Sequence, residues 1–274
     1  MTIKMVVTDL DGTLLRDDKS IDYTDCNTFE RLGKKGVVRV AATGRSLYSI
    51  SKVVPKDFPF DYVVFSTGSG IIDYRSHKLL ISNGLIASQT EEVIKLFRQE
   101  KLDFTVHFPI PENHKFYYHQ INSDNIEFTN YCNFYSDHCA PVDFSEPIFE
   151  NACQLLSIME DDIDRFYSVK SKLTDFKVIR TTSPIDHTMI WMEVFPPNVS
   201  KGDAVHWLCS KLKINKDQVL AIGNDYNDVD FLDYAGHARL VENGHPELKE
   251  RYHIVPSNNS NGVSKAIQSL IKLS

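Results

Sequence analysis

The chain has 274 residues, 42% hydrophobic and 24% charged, which suits a soluble protein with one large core or two smaller ones. A net charge of −7 gives no basic face for nucleic acid, so any anionic ligand must be held by local groups. No run of about 18 apolar residues offers a membrane span, and five scattered cysteines (Cys26, Cys132, Cys139, Cys153, Cys209) without Cys-x-x-Cys spacing predict reduced thiols in the cytoplasm.

The chain enters a strand at once, without the charged-then-apolar pattern of a signal segment. Residues 3–7 are apolar and stop at Asp9-Leu10-Asp11-Gly12-Thr13-Leu14. Side chains two apart on an extended segment point the same way. Asp9 and Asp11 therefore face one small volume beyond the strand's carboxyl end, where open α/β sheets place their ligands. Two like charges so close require a cation or a shared proton. A magnesium site with one carboxylate left to attack phosphorus meets that need. An ordinary acidic strand-to-turn junction also accounts for the pair taken alone.

Residues 24–35 carry a helical pattern ending near Gly36, and 37–42 form a second apolar strand. That strand opens into Thr43-Gly44-Arg45-Ser46. A hydroxyl and backbone N–H groups at a helix start can hold phosphate oxygens, although such a hydroxyl also serves as a plain helix cap. A short helix over 47–53, a strand over 62–65 and a hairpin of 70–74 with 78–81 follow. The alternation predicts a parallel sheet covered by helices.

The middle of the chain is richer in aromatics and histidine, and Pro109, Pro111, Pro141, Pro147, Pro184, Pro196 and Pro197 punctuate it. Strand patterns occupy 104–108, 115–119, 154–158, 176–180 and 189–195, with helices over 90–99, 125–135 and 162–173. This predicts an α+β domain at 84–196, inserted by two joints into a core made of 1–83 and 197–274.

Beyond it, residues 201–212 form a helix with Ala204, Leu208 and Leu212 on one face. Lys201 at its start is electrostatically misplaced, since the helix dipole prefers anions there. It fits a phosphate clamp or a solvated surface lysine. Residues 219–222 are a strand running into Gly223-Asn224-Asp225-Tyr226-Asn227-Asp228, a cluster of acids and amides before a helix at 229–234. Short strands at 238–241 and 253–255 and a closing helix with Val263, Ile267 and Leu270 on one face complete the chain.

Asp9-Leu10-Asp11-Gly12-Thr13-Leu14 resembles the first motif of the haloacid dehalogenase (HAD) superfamily. The segments at Thr43, Lys201 and Asn224 resemble its Cof-type sugar-phosphatase branch, which carries a large cap. The likeness covers both ends of the chain, and the middle by length and position alone. It implies an α/β fold: a Rossmann-like parallel sheet with helices on both faces, plus an inserted α+β cap. It also implies a Mg²⁺-dependent phosphatase for a small phosphorylated metabolite, acting as a monomer or small homo-oligomer. Asp9 would be the nucleophile. Asp11 would be the acid and base, its pKa rising beside Asp9 while its backbone carbonyl faces the metal. Lys201 would pair with the phosphoryl group and Asp9. Thr43, Gly44, Asn227 and the backbone at Leu10 and Gly12 would hold phosphate, and Arg45 would contact substrate or cap. Asp9, Asp11, Asn224 and Asp228 form the implied metal set, Asp228 beyond the direct ligands.

The sequence departs from the family at one of these positions. The branch mostly carries Gly-Asp-x-x-Asn-Asp, and here Asn224 replaces the first aspartate, with Asp225 following. An amide oxygen can ligate magnesium but brings no charge. Asn243 is a further phosphate-region candidate, Thr67-Gly68-Ser69-Gly70 an entrance turn, and Glu193 a specificity residue. A phosphomutase on the same core and a non-catalytic binding module are the alternatives.

Overall fold

The computed structural model describes residues 2–145, 151–183 and 189–273; Pro147 and Pro184 lie outside the described residues. The chain opens with β1 (Met5–Thr8), α1 (Tyr23–Lys34), β2 (Val38–Ala42), α2 (Leu47–Ile50), β3 (Tyr62–Phe65), β4 (Gly70–Asp73) and β5 (Lys78–Ser82). The middle contributes α3 (Ala87–Gln99), β6 (Phe104–His107), β7 (Phe116–His119), α4 (Ile126–Phe134), β8 (Cys139–Pro141), β9 (Leu155–Glu160), α5 (Ile163–Lys170), β10 (Lys177–Thr182) and β11 (Met189–Phe195). The last third adds α6 (Lys201–Leu212), β12 (Val219–Gly223), α7 (Val229–Tyr234), β13 (His237–Val241), β14 (His253–Val255) and α8 (Gly262–Gln268). Two compact units result: Met1–Ser82 with Ser200–Ser274, and Asn83–Val199.

The first unit is built on an eight-stranded sheet of order β14-β13-β12-β1-β2-β3-β4-β5. All neighbours from β14 to β3 run parallel, and the β4–β5 hairpin joins antiparallel at β3. The hairpin therefore extends the same sheet. Alternate residues of the central strands face opposite helical layers. Met5, Val7, Val219 and Ala221 pack with Val205 and Leu208 of α6 and Phe231 and Leu232 of α7. On the other side α1 contacts α8, and α8 reaches β12, β13 and β14. Strands apolar on both faces need helices on both faces, which is the expected α/β arrangement.

Local chemistry sets the helix ends. Asp22 is extended and its carboxylate accepts from Thr24 N at 2.8 Å, capping α1. Ser200 caps α6 by accepting from Asp203 N at 3.1 Å, and Lys213 ends that helix in the left-handed region at φ 55°. Helix α2 is shorter than its sequence pattern suggests, stopping at Ile50.

The second unit carries a six-stranded sheet of order β10-β11-β9-β6-β7-β8. Leu155 and Met159 share a core with Val93 and Phe97 of α3 and Phe166 and Val169 of α5. Leu156 and Ile158, on the opposite parity of β9, pack with Phe128 and Cys132 of α4. Strand β8 has no counterpart among the predicted elements. It is three residues long, ends in Pro141 and lies at the sheet edge, where a missing N–H costs no ladder bond. The five cysteines are free thiols, and among the described residues no helix is long and apolar enough to cross a membrane.

Candidate active site

Register brings three strand ends together. Thr8 lies opposite Ile222 on one side and Ala41 on the other. Asp9, Asn224 and Thr43 thus leave the sheet within two residues of one line. The chain also reverses its direction of travel across the sheet at β1, where such crevices open.

At the centre, Lys201 Nζ donates to Asp9 Oδ1 at 2.8 Å, to Asp228 Oδ1 at 2.6 Å and to Asn227 Oδ1 at 3.3 Å. Lysine, aspartate 9 and aspartate 228 are all buried, at 1%, 4% and 0% exposure. Lys201 is therefore a buried cation between carboxylates rather than a surface residue. Burial works against its charge, but Asp228 and Asp9 together hold its pKa above the ordinary lysine range. Burial pushes the Asp9 carboxyl up to about 7 against the pull of Lys201, with Asp228 adding to the rise. Asp228 is raised by the same burial. One ammonium faces two carboxylates, so the desolvated cluster readily holds an extra proton while Lys201 stays charged.

Asp228 has little capacity left. Its Oδ2 accepts from the backbone N–H of Asn224 at 2.8 Å and of Asp225 at 3.2 Å, and its Oδ1 takes Lys201. It shapes the loop after β12 and anchors the lysine. Asp225 caps the following turn through Tyr226 N at 2.8 Å.

Asp11 behaves differently from the expected rise in pKa. Its carboxylate receives Arg45 Nε at 2.6 Å, Arg45 Nη2 at 2.8 Å and Lys19 Nζ at 3.1 Å. Burial works against its charge, yet the Arg45 hydrogen bonds and charge, reinforced by Lys19, hold it below the usual carboxylate range. The expectation considered only the neighbouring Asp9 and lacked the two cations. Arg45, expected to face substrate or cap, also donates to Ser49 Oγ at 2.7 Å.

One end of the Asn224 amide accepts from Thr13 Oγ1 at 3.2 Å. The same end stands 3.2 Å from Asp9 Oδ2, from the Asp11 carbonyl oxygen and from Asp228 Oδ2. Oxygens facing one another at that spacing need a cation among them or a donor in place of one oxygen. Magnesium binds oxygen at about 2.0–2.1 Å, which spaces adjacent octahedral ligands by about 3 Å. Turned with its oxygen inward, Asn224 stands at that spacing from both Asp9 Oδ2 and the Asp11 carbonyl, and the three oxygens have the chemistry of a magnesium donor set.

The surrounding turns are pinned. Asn243 Nδ2 donates to the Gly12 carbonyl at 2.7 Å and its Oδ1 accepts from Asn258 N at 3.0 Å, so it braces the loop after β1 from behind. Gly12, at φ +72°, takes a conformation that disfavours other residues. Thr43 is buried, its Oγ1 accepts from Arg45 N at 3.1 Å, and its carbonyl accepts from Thr67 N at 3.0 Å. A Cβ on Gly44 would lie 4.0 Å from Asn227 Nδ2, which places the second and fourth loops side by side. Leu10 is fully buried, and its carbonyl closes the turn by accepting from Leu15 N at 2.8 Å. Glu193 is buried on β11 in the other unit.

Three supporting features take their roles only from the fold. Thr13 of the first motif reaches Asn224, and Lys19, an ordinary lysine in the sequence, reaches Asp11. The turn after β3 holds Ser66, Thr67 and Gly68 at φ 47°, 55° and 105°. A Cβ at Gly68 would meet the Ser200 carbonyl oxygen at 2.2 Å, directly before Lys201. Gly68→Ala is expected to destabilise the protein by about 3 kcal/mol, through both the forced φ and the clash, read as a fall in urea midpoint. An unchanged midpoint would mean the turn is slack.

The profile of the haloacid dehalogenase-like hydrolases matches residues 6–267. The chain is 26% identical over 289 residues to the 5-amino-6-(5-phospho-D-ribitylamino)uracil phosphatase YwtE of Bacillus subtilis, covering 98% of each chain. Among solved structures, it matches a haloacid dehalogenase-like hydrolase from Bacteroides thetaiotaomicron with a TM-score of 0.74 at 22% identity, over 98% of this chain and 100% of that one. A HAD subclass IIB sugar phosphatase gives a TM-score of 0.77 at 15% identity, over 97% and 98%.

Proposed function

The chain belongs to the haloacid dehalogenase-like hydrolases and is a phosphatase of that family, and we propose that it hydrolyses small phosphomonoesters through a phosphorylated Asp9. The buried contact of Lys201 with Asp9 and Asp228 carries this reading. A lysine buried at a helix start against the carboxylate that ends a strand, with a partly exposed second carboxylate nearby, is a charge arrangement for a transferring phosphoryl group, not for stability alone.

The Asp9 carboxylate attacks phosphorus in line, a P–O bond forms, and the bond to the alcohol oxygen breaks. Lys201 draws off charge from Asp9 and the phosphoryl oxygens together, and the Thr43 hydroxyl and the backbone of the turn after β1 hold those oxygens. Asp11 gives its proton to the departing alkoxide. It then takes one from the water that attacks the phosphoaspartate, returning Asp9 and releasing phosphate. Its depressed pKa suits the second task, and the first requires Arg45 to let go. Asp9 Oδ2, the Asp11 carbonyl and Asn224 Oδ1 would hold magnesium, which would offset the negative charge between Asp9 and the phosphoryl group.

In this reading the unit Asn83–Val199 is the family's cap, the part that selects the leaving group. The substrate class is a phosphate ester of a polyhydroxylated carbon chain. The phosphoribityl substrate named for the Bacillus relative and the sugar phosphatase name of the structural neighbour support that choice.

A panel of sugar, polyol, nucleotide and cofactor phosphates, assayed with magnesium or EDTA, tests this. Free phosphate from sugar and polyol phosphates, dependent on magnesium, is the expected outcome. An isomerised hexose phosphate without free phosphate would make the protein a mutase, and no turnover across the panel would make it a binding module.

A further inference from the structure

Asn224 stands where two opposite demands meet. Its backbone is fixed from both sides: its N–H donates to Asp228 Oδ2 at 2.8 Å and its carbonyl accepts from His245 N at 2.8 Å. The remaining freedom is rotation of the terminal amide, which exchanges nitrogen for oxygen with almost no change in shape. One end of that amide lies 3.2 Å from Asp9 Oδ2, the Asp11 carbonyl, Asp228 Oδ2 and Thr13 Oγ1. The other end projects towards Gly12, where a Cβ would stand 2.8 Å away, so the glycine leaves room for either orientation.

We propose that Asn224 is a two-way ligand that stabilises this acidic pocket both with and without its divalent cation. With no cation present, the amide nitrogen turns inward and donates to the surrounding oxygens. With a cation present, the amide turns over and offers its oxygen as a ligand, while Thr13 Oγ1 donates to it. An aspartate at 224 could do only the second. Metal-free, it would place another carboxylate 3.2 Å from Asp9 and Asp228 oxygens, with Lys201 as the buried counter-charge. The amide thus trades metal affinity for a stable empty site. This rests on the magnesium-dependent reading above.

The test compares the parent with Asn224→Asp, an isosteric change. Urea unfolding in EDTA at about pH 8 reads the empty site, and calorimetric titration with magnesium reads the loaded one. The expected result is a lower urea midpoint for Asn224→Asp in EDTA, together with magnesium affinity tighter by about tenfold or more, from the added ligand charge. A variant that folds only when magnesium is added supports the proposal in the same sense. Equal EDTA stability and equal affinity, in a parent that does bind magnesium, would overturn the proposal alone. A variant unfolded with or without magnesium would overturn it too. If neither protein takes up magnesium, the proposal and the magnesium reading fall together.

Discussion

Asp9→Asn is expected to lower magnesium-dependent phosphate release by about four orders of magnitude or more, with the fold retained. The amide has the shape of the carboxylate, and its oxygen can still accept from Lys201, whose Nζ lies 2.8 Å from Asp9 Oδ1. It cannot form a phosphoaspartate. The same variant should be more stable than its parent in EDTA, increasingly so as pH rises. Burial pushes the Asp9 carboxyl up to about 7 in the folded protein, from about 3.8 when unfolded. Between those values the folded state holds a proton that the unfolded chain has lost, so the parent loses stability as pH rises through the window. Asparagine has no such proton to lose, and the gain should reach about 2 kcal/mol between about pH 5 and about pH 8. Phosphate release and urea midpoints at the two pH values check both halves. A variant that keeps a large part of the parent's turnover would refute the nucleophile assignment.

Lys201→Met is the second large effect, and it combines stability with chemistry. The lysine is 1% exposed and its ammonium contacts Asp9 and Asp228, so methionine keeps the volume of the stem and removes the charge. Two buried carboxylates are then left facing each other, a loss of about 3–5 kcal/mol at neutral pH. Turnover should fall by about a thousandfold, since the charge nearest the reacting oxygens is gone. The stability deficit should shrink on acidification, because burial already raises both carboxyls and without lysine they take up protons more readily still. Equal urea midpoints for variant and parent at pH 8 would show that the lysine carries no buried charge pair.

The converging strand ends are legible in the sequence for a simple reason. Strands buried on both faces are apolar runs, and the polar residues where they stop mark the sheet's carboxyl edge. Thus Asp9, Thr43 and Asn224 can be placed on one rim from the runs that precede them, and Lys201 can be suspected from its misfit with the helix dipole. What the pattern lacks is the long-range pairing that fixes charge. The state of Asp11 depends on Arg45, 34 residues away, and on Lys19, and neither residue advertises that role. Strand β8 is equally silent, because a three-residue edge strand ending in proline shows neither alternation nor strand propensity. Thr67 sits at φ 55° on a β-branched residue, a strain imposed by contacts with the Thr43 carbonyl and the start of α6 rather than by local preference.

The order of strands also governs when the catalytic centre can come into being. Strand β1 is flanked by β2, made soon after it, and by β12, made more than 200 residues later. Asp9 and Lys201 are 192 residues apart in the chain. While the ribosome is still translating the intervening region, β1 presents a bare, apolar rim, and Asp9 waits without the Lys201 ammonium. Such a rim is open to wrong partners until residues 219–223 dock against it. A nascent chain released early would therefore be aggregation-prone and inert, and capture of the last third is the step that makes the enzyme.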